Sequence, residues 1–462
     1  MFRSCAVLLV LCAVARPEGV SYDAIFGQAA AKTWRARWHA VEQLARVPLD
    51  DGIFERLRPA LLTDERAEVR EAIAWAADLE PRLLSATLLG LALQRDKDPR
   101  VRRAAARALR HHRDRRAVNA LVKALQKEDD ARTRLRIIQT LRELTPAPCL
   151  LDAEAWRDWW SNNDSDPRFK PADEPPRKET YDGVVLETKT VEAVPRDKTN
   201  VRPLPHVLVL PSFGWNTEMY GPYLLPLRER SALTWVRLPS VQALTGRSGY
   251  GADVPVYPVG RLVRALDRFR AAHKIDRFLI LASGASGWFA MRYAQKHPSR
   301  CAGLLLIDTI LDTEAYLEAL QRGAAFGDKG EKWTAKTLMK QNSAPHNRAT
   351  LDRLHVYGIE RGFYDRSDLE IAHLYKQARE PQGFASVPPL KFKGRVRIKV
   401  PTIFVYSAAS AFSGHRDAVR IGKHFPNSLV TPIRNTRGMA YVETNDEFHR
   451  VLNHYFDRYF SD

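Results

Sequence analysis

A repeat with a period of 32 residues constrains the amino-terminal third of this chain more than any other feature of its sequence. Corresponding segments begin at Val69, Val101 and Thr133, and each has an arginine at its second position. Apolar residues recur at helical spacing within each unit, so each unit predicts a pair of helices. Paired helices at a fixed period predict a stacked α-solenoid over residues 30–160, in which every unit buries its apolar side against its neighbours. Leucines of the second helices have the same spacing: Leu57, Leu89 and Leu121, then Leu61, Leu93 and Leu125.

The segment DPRVRRAAARALRHHRDRRAVNALVKAL, which starts at Asp98, resembles short HEAT-type repeats. Asp98-Pro99 and the acidic run at 128–130 predict helix starts. The arginines of this stretch are candidates for binding phosphate or another polyanion, and the alternative is a solvated helical face with a basic turn. No aromatic residue lies among them, so stacking on nucleic acid bases is not predicted. The anion-binding candidates are Arg100, Arg102, Arg103, Arg107 and Arg110.

The overall charge also favours anionic partners. Lys plus Arg is 72 and Asp plus Glu is 54, so the formal charge of the 462-residue chain is 72 − 54 = +18. Hydrophobic residues make up 45% of the sequence, which excludes a wholly disordered chain. The length predicts two or three domains. Net charge bears on partners and not on fold.

Residues 1–15, MFRSCAVLLVLCAVA, predict a signal peptide that is cleaved before Arg16. Arg3 supplies the positive end, residues 5–14 are apolar, and residues 13–15 have the small-x-small pattern of a cleavage site. The prediction is therefore an exported protein, whether periplasmic, associated with the cell envelope or secreted. The alternative is a hydrophobic first helix that packs on the domain. No apolar run is long enough to predict a membrane span.

Two features follow the repeats. Trp156, Trp159 and Trp160 predict an aromatic cap on the open end of the solenoid, with a sugar-binding platform as the alternative. Residues 161–180 are polar and rich in proline, and they predict a linker between domains.

From residue 181 onwards, short apolar runs alternate with helical segments. This alternation predicts a parallel sheet covered by helices on both faces. The predicted strands are at residues 207–210, 234–238, 277–281, 304–308 and 403–406.

The same region, 181–462, resembles the α/β-hydrolase fold. The matching segments are LVLPSFGWNTEMY, FLILASGASGWFAMRYAQKHPSRCAGLLLID, VPTIFVYS and NTRGMAYVETNDEFHRVLNHYF. The resemblance implies a doubly wound, mostly parallel sheet with a helical lid inserted at about residues 311–399. It also implies that the backbone of Ser212, Phe213 and Ala285 forms the oxyanion loop, although Pro211 and Ser212 stand where the family has His-Gly.

The resemblance weakens at the nucleophile. The family elbow, G-x-S-x-G, presents a serine hydroxyl above the sheet. Small residues pack the following helix six and ten positions later, and Ala290 and Ala294 satisfy this spacing if the nucleophile position is Gly284. Ser286 is the substitute nucleophile to consider. A shift of two residues would, however, rotate the helix by about 200° and turn both alanines away from the sheet.

The two partners of the nucleophile are changed as well. The family's acid falls at Ser410, and its histidine falls at Gly438 or Met439, depending on the alignment. Asp308 is the substitute acid, and its alternative role is an ordinary strand end. A triad without nucleophile, base and acid lacks the groups that activate a hydroxyl.

The predicted function is therefore an exported binding or scaffolding protein that has lost catalysis. The predicted partners are a protein or an anionic polymer on the solenoid and a small molecule under the lid. The alternative is an active serine hydrolase, an esterase or peptidase, that uses Ser286. No sequence motif calls for a cofactor or a metal ion.

Overall fold

A computed structural model describes most of the two predicted regions. The described residues are 21–32, 34–47, 51–147, 151–164, 176–193, 204–211, 222–237, 240–242, 256–284, 286–309, 369, 384–386, 398–408, 419, 422–434, 436 and 440–460. The predicted signal peptide and residues 165–175 of the predicted linker lie outside this set.

The amino-terminal region is helical, as the repeat predicts. Helices α2, α4, α6 and α8 pack side by side and form what we call the inner layer, whereas α3, α5 and α7 form the outer layer. The helices are α1 (Tyr22–Ala29), α2 (Trp34–Ala45), α3 (Asp51–Thr63), α4 (Ala67–Leu79), α5 (Ala86–Arg95), α6 (Pro99–Ala108), α7 (Arg115–Leu125), α8 (Ala131–Leu144) and α9 (Ala153–Asn163).

Aspartates begin two of the inner helices, which confirms the predicted helix starts. The carboxylate of Asp98 accepts a hydrogen bond from the backbone N–H of Arg100, and Asp130 accepts one from that of Thr133. Each carboxylate satisfies a backbone donor that the helix itself leaves unpaired. Arg66 holds the equivalent position before α4 and makes no such cap.

Helix α9 departs from the repeat. The Gln126 side chain, just after α7, donates to the carbonyl of Ala153 at the start of α9, and Arg115 at the start of α7 pairs with Asp164 just after α9. Helix α9 therefore runs antiparallel to α7. Trp156 on α9 is fully buried and belongs to the solenoid core, which supports the capping interpretation.

The carboxyl-terminal region is built on an eight-stranded sheet in the order β1-β2-β4-β3-β7-β8-β10-β11. Strands β1 and β2 are antiparallel to their neighbours, and the remaining pairs are parallel. A separate parallel sheet has the order β5-β9-β6. The strands are β1 (Arg177–Tyr181), β2 (Val184–Val191), β3 (His206–Leu210), β4 (Leu233–Arg237), β5 (Ser240–Gln242), β6 (Val256–Pro258), β7 (Phe278–Ser283), β8 (Cys301–Ile307), β9 (Phe384–Ser386), β10 (Thr402–Ser407) and β11 (Ser428–Ile433).

Both faces of the large sheet are covered, as predicted. Alternate residues of each strand enter different cores: Leu279 and Leu281 join the core that includes α12 (Ala440–Glu443) and α13 (Asn445–Phe460). Ile280 and Ala282 join the core that includes α10 (Val259–Ala272) and α11 (Ser286–Lys296). Every residue of β7, β8 and β10 is buried, which is typical of parallel strands between two helical layers.

Among the described helices, none combines the length and the apolar character that crossing a membrane requires.

Candidate functional site

The turn between β7 and α11 is where the α/β-hydrolase resemblance places a nucleophile. Gly284 lies at this turn with φ = +53°, and its N–H donates to the carbonyl of Ile307 at 3.0 Å. A positive φ is readily adopted by glycine and costs energy in residues with a side chain. The backbone thus makes the sharp strand-to-helix turn, but the residue at its apex has no group to deprotonate.

Ser286 is the first residue of α11, and its side chain is completely buried. Its hydroxyl donates a hydrogen bond to the backbone carbonyl of Pro211, directly after β3. This contact ties the helix start to the neighbouring strand. Among the described residues, no histidine accepts a hydrogen bond from Ser286.

Thr309 is a part of the turn that sequence reasoning missed. A Cβ placed on Gly287 would lie 2.2 Å from Thr309 Cγ2 and 2.5 Å from its Oγ1, so the threonine side chain lies directly against the start of α11. Thr309 Oγ1 and Trp288 Nε1 are buried and have no hydrogen-bond partner in the described part of the chain. Buried polar groups of this kind usually bind a partner.

Asp308, the substitute acid, links two strand ends. Its backbone has φ = +44°, and its carboxylate accepts hydrogen bonds at 2.7 Å from both the N–H and the hydroxyl of Ser407. Its own N–H donates to the carbonyl of Val405 at 2.8 Å. These contacts join β8 to β10 at the carboxyl edge of the sheet.

Two buried histidines have structural partners. His449 on α13 donates from Nε2 to the carbonyl of Tyr223 at 2.7 Å, and burial lowers its pKa to about 4. His206 at the start of β3 hydrogen-bonds Thr234 Oγ1 at 2.7 Å, and burial likewise lowers its pKa to about 4. Parallel strands start at the edge opposite to the β7–α11 turn, so His206 is remote from Gly284.

Several predicted positions lie outside the described residues. They are Ser212, Phe213, Ala285, Ser410, Gly438, Met439 and, apart from residues 369, 384–386 and 398–399, the predicted lid.

The five candidate anion-binding arginines pair with carboxylates of the solenoid itself. Arg107 and Arg110 both approach the carboxylate of Asp78, at 2.8 and 3.0 Å. Burial alone would raise the pKa of Asp78, but the two guanidinium groups and a hydrogen bond from His111 hold it well below its usual range. The Arg107 and Asp78 side chains are each 1% exposed, so this is an internal ion pair and not part of a solvated face.

Arg102 belongs to a contact that repeats along the solenoid. Arg70 and Arg102 each donate two guanidinium hydrogen bonds to a carboxylate 26 positions later in the chain. Arg70 donates to Asp96 at 2.7 and 2.9 Å, and Arg102 donates to Glu128 at 2.8 and 2.7 Å. Each arginine also donates to the carbonyl of the residue six positions earlier. Two-pronged pairs of this kind fix geometry as well as adding energy.

The remaining two candidates are paired as well. Arg100 contacts Asp98 at 2.7 Å and Glu68 at 3.2 Å, and Arg103 contacts Asp130 at 3.4 Å. All five arginines therefore join successive helices or cap helix ends.

Two helices of the inner layer, α4 and α8, are buried on all sides over part of their length. Residues 71–78 of α4 are all buried, and so are residues 135–142 of α8. Successive helical residues turn by about 100°, so eight consecutive buried residues leave no side of the helix open. Helix α13 contacts α8, and residues of the solenoid and of the sheet form one hydrophobic cluster. The carboxyl-terminal region therefore covers part of the inner layer at α8.

A cavity of about 880 Å³ lies at the opposite edge of the sheet from Gly284. Its lining includes His206, Lys274, Arg277, Tyr459 and Phe460. The carboxylates of Glu192 and Asp276 balance the two cations, so the lining favours no particular charge.

Comparisons with known proteins agree with the two regions. Residues 85–153 match the family model for HEAT repeats. A comparison with curated proteins finds no match. The chain is similar to a Bacillus megaterium epoxide hydrolase structure at 10% identity, covering 61% of this chain and 100% of that chain with a TM-score of 0.40. It is similar to VinJ at 15% identity, covering 62% and 99% with a TM-score of 0.45. A membrane phospholipase A described as a bacterial virulence factor matches at 20% identity, covering 62% and 86% with a TM-score of 0.37.

The molecule combines an amino-terminal helical region, of which residues 85–153 match HEAT repeats, with a carboxyl-terminal, mostly parallel eight-stranded sheet.

Proposed function

We propose that this protein binds ligands or partners and does not catalyse hydrolysis. The observation that carries this proposal is Gly284: the turn keeps its left-handed backbone, but its apex lacks a nucleophile. A serine hydrolase needs an activated hydroxyl, a base that takes its proton and a group that orients the base. These groups act as a unit, so losing the first removes most of the rate.

The nearby serine does not restore the machinery. The Ser286 hydroxyl already donates to the Pro211 carbonyl and lies fully buried in the first turn of α11. To attack a substrate, the Ser286 hydroxyl would have to break this hydrogen bond and become accessible to the substrate. Asp308 is also engaged, because it holds Ser407 through two hydrogen bonds.

The binding role has two supports. At the β7–α11 turn, Thr309 Oγ1 and Trp288 Nε1 are buried polar groups that a small ligand with hydrogen-bonding atoms would satisfy. The solenoid provides a second surface, for a protein or an anionic polymer, on its outer layer. Neither role requires a cofactor. The proposal includes export, because residues 1–15 are predicted to be a signal peptide. A mature chain that begins at Arg16 in mass spectrometry would support export.

The test is labelling of the full chain by a fluorophosphonate probe, together with turnover of p-nitrophenyl esters. We expect neither labelling nor turnover above that of the Ser286→Ala variant. Robust labelling that disappears in Ser286→Ala would replace this proposal with the alternative, an esterase or peptidase that uses Ser286. Labelling that persists in Ser286→Ala would show a different nucleophile and would also overturn the proposal.

A further inference from the structure

We infer that the outer layer of the solenoid binds a linear chain of phosphate groups through four cations: Arg95, Lys97, Lys123 and Lys127, here called the basic edge. This inference rests on the proposed binding role of the solenoid and names its partner. It moves the anion-binding site away from the five arginines that the sequence suggested.

The charge balance within the repeats supports this choice. The five suggested arginines all have carboxylate partners inside the solenoid, so their charge is already compensated. By contrast, the four side chains of the basic edge are exposed, and no carboxylate lies within ion-pair distance of them in the described part of the chain. Uncompensated positive charge is therefore present on the outer layer.

The repeat places these cations side by side. Arg95 is the last residue of α5, and Lys127 is its equivalent one 32-residue period later, just after α7. The two helices are in close contact, since a Cβ on Gly90 would lie 2.8 Å from Ala120 Cβ and Gln94 reaches the Ala120 carbonyl. Helices in contact have axes about 8–10 Å apart, so the pair of cations at the end of α5 and the pair at the end of α7 are separated by roughly that distance.

The carboxyl ends of α5 and α7 each carry a partial negative charge of about half a unit, which is less than the charge of the cations beside them. Lys123 is on α7, one turn before Lys127, which follows the helix. Lys97 follows α5 in the turn to α6. Two exposed carboxylates, Asp129 and Glu154, border the basic edge and reduce its net charge without pairing with it. The formal charge of +18 for the whole chain attracts an anion toward either region.

The chemistry of the basic edge favours a polymer over a single anion. Exposed charge pairs are individually weak, and no buried donor surrounds a single binding point here. A connected chain of phosphates engages several cations at once, and each contact raises the effective concentration for the next. Three of the four cations are lysines, which bind phosphate as point charges without a fixed planar geometry.

The experiment measures binding of long-chain inorganic polyphosphate to the full-length protein at several salt concentrations. The test variant carries R95Q, K97Q, K123Q and K127Q. The control variant carries K178Q, K274Q, K296Q and R450Q, four exposed cations of the carboxyl-terminal region, and has the same net charge. Circular dichroism checks that both variants are folded.

We expect the test variant to bind at least about tenfold more weakly than the control, with the slope of log K against log salt reduced by about 3, as four lost phosphate contacts predict. Orthophosphate should bind neither the test variant nor the control variant measurably. Equal losses in the two variants would show that only net charge matters and would overturn the inference. Unchanged binding in the test variant would overturn it as well. Neither result depends on fluorophosphonate labelling, so the basic edge and the loss of catalysis can fail separately.

Discussion

Charged and polar residues have different roles in the solenoid and in the sheet region. In the solenoid, arginines at repeated positions meet carboxylates at repeated positions, as the pairs Arg70–Asp96 and Arg102–Glu128 illustrate. In the sheet region, the strands and the turn after β7 persist, but the apex of that turn is a glycine. The solenoid thus uses its polar residues for folding, whereas the turn after β7 has no reactive side chain at Gly284.

Fold and chemistry are therefore distributed unevenly over the sequence. A parallel sheet depends on dozens of buried aliphatic side chains, and replacing any one of them leaves the pattern intact. A hydrolytic site depends on three groups, so replacement of any one of them removes most of its activity. Charged residues in a repeat are intermediate in their tolerance to replacement, because the same ion pair occurs more than once.

The role of the internal ion pairs in the solenoid is tested most directly at Asp78. Asp78→Ala removes the carboxylate that pairs with Arg107 and Arg110, and the Arg107 side chain that remains is only 1% exposed. Orphaning one side of a buried ion pair costs about 3–5 kcal/mol of unfolding free energy. Urea unfolding followed by circular dichroism measures this loss.

The matched control is Glu80→Ala, two residues further along the chain. Glu80 pairs with Arg82, whose side chain is 76% exposed, and accepts a hydrogen bond from the Arg82 backbone N–H, so we expect a loss of at most about 1 kcal/mol. Equal stability of both variants and the wild type would mean that the Asp78 cluster does not hold the repeats together. The arginines Arg107 and Arg110 would then again be candidates for binding an external anion.

A second prediction tests whether histidine in the sheet region is structural. The pKa of His449 is lowered from 6.5 to about 4 by burial, so the folded protein resists a proton that the unfolded chain accepts. Stability is therefore complete above pH 6.5 and falls as the pH drops toward 4. Between pH 7.5 and pH 5 this one group accounts for a loss of about 2 kcal/mol in unfolding free energy.

His449→Gln removes the titrating group and keeps a donor for the Tyr223 carbonyl. We expect its unfolding free energy to fall less steeply with acid than that of the wild type. His454→Gln, at an exposed position of the same helix, should leave the slope unchanged. A wild-type slope in His449→Gln would mean that His449 takes up a proton in the folded state, and its role as a neutral structural donor would be wrong.

Much of the fold was predictable because its signals are local. The 32-residue period fixed the helix pairs, and the five apolar runs correspond to β3, β4, β7, β8 and β10. Strands β1 and β2 were missed because they are half-exposed and alternate with polar residues, although the Asp182-Gly183 turn between them is a hairpin signal. Strand β11 was missed for a similar reason, since its residues are mostly half-buried and include Pro432.

The site was less predictable because its contacts join distant residues. The pair formed by Arg107 and Asp78 spans 29 positions, and the charge pattern alone equally suggested an external anion. The contact between α13 and α8 follows from packing between the two regions, which no local pattern records. Thr309 resembled an ordinary residue after a strand, and only its position against Gly287 marks it.

The smallest predicted effect concerns Gly284 and sharpens the distinction between fold and chemistry. Gly284→Ser supplies the hydroxyl that the family's elbow carries, but it also forces a side chain into a backbone conformation with φ = +53°. We expect a loss of about 1–2 kcal/mol in unfolding free energy and no labelling by a fluorophosphonate, because a hydroxyl without a base is not activated.

Gly27→Ser is the control for a glycine with ordinary geometry. It lies in α1, where a Cβ would meet nothing within 4 Å, so serine should be neutral or slightly stabilising there. Efficient labelling of Gly284→Ser would show that a base and an oxyanion site are still in place around the turn. The loss of catalysis would then rest on the apex residue alone, and the sheet region would differ from a working hydrolase by a single side chain.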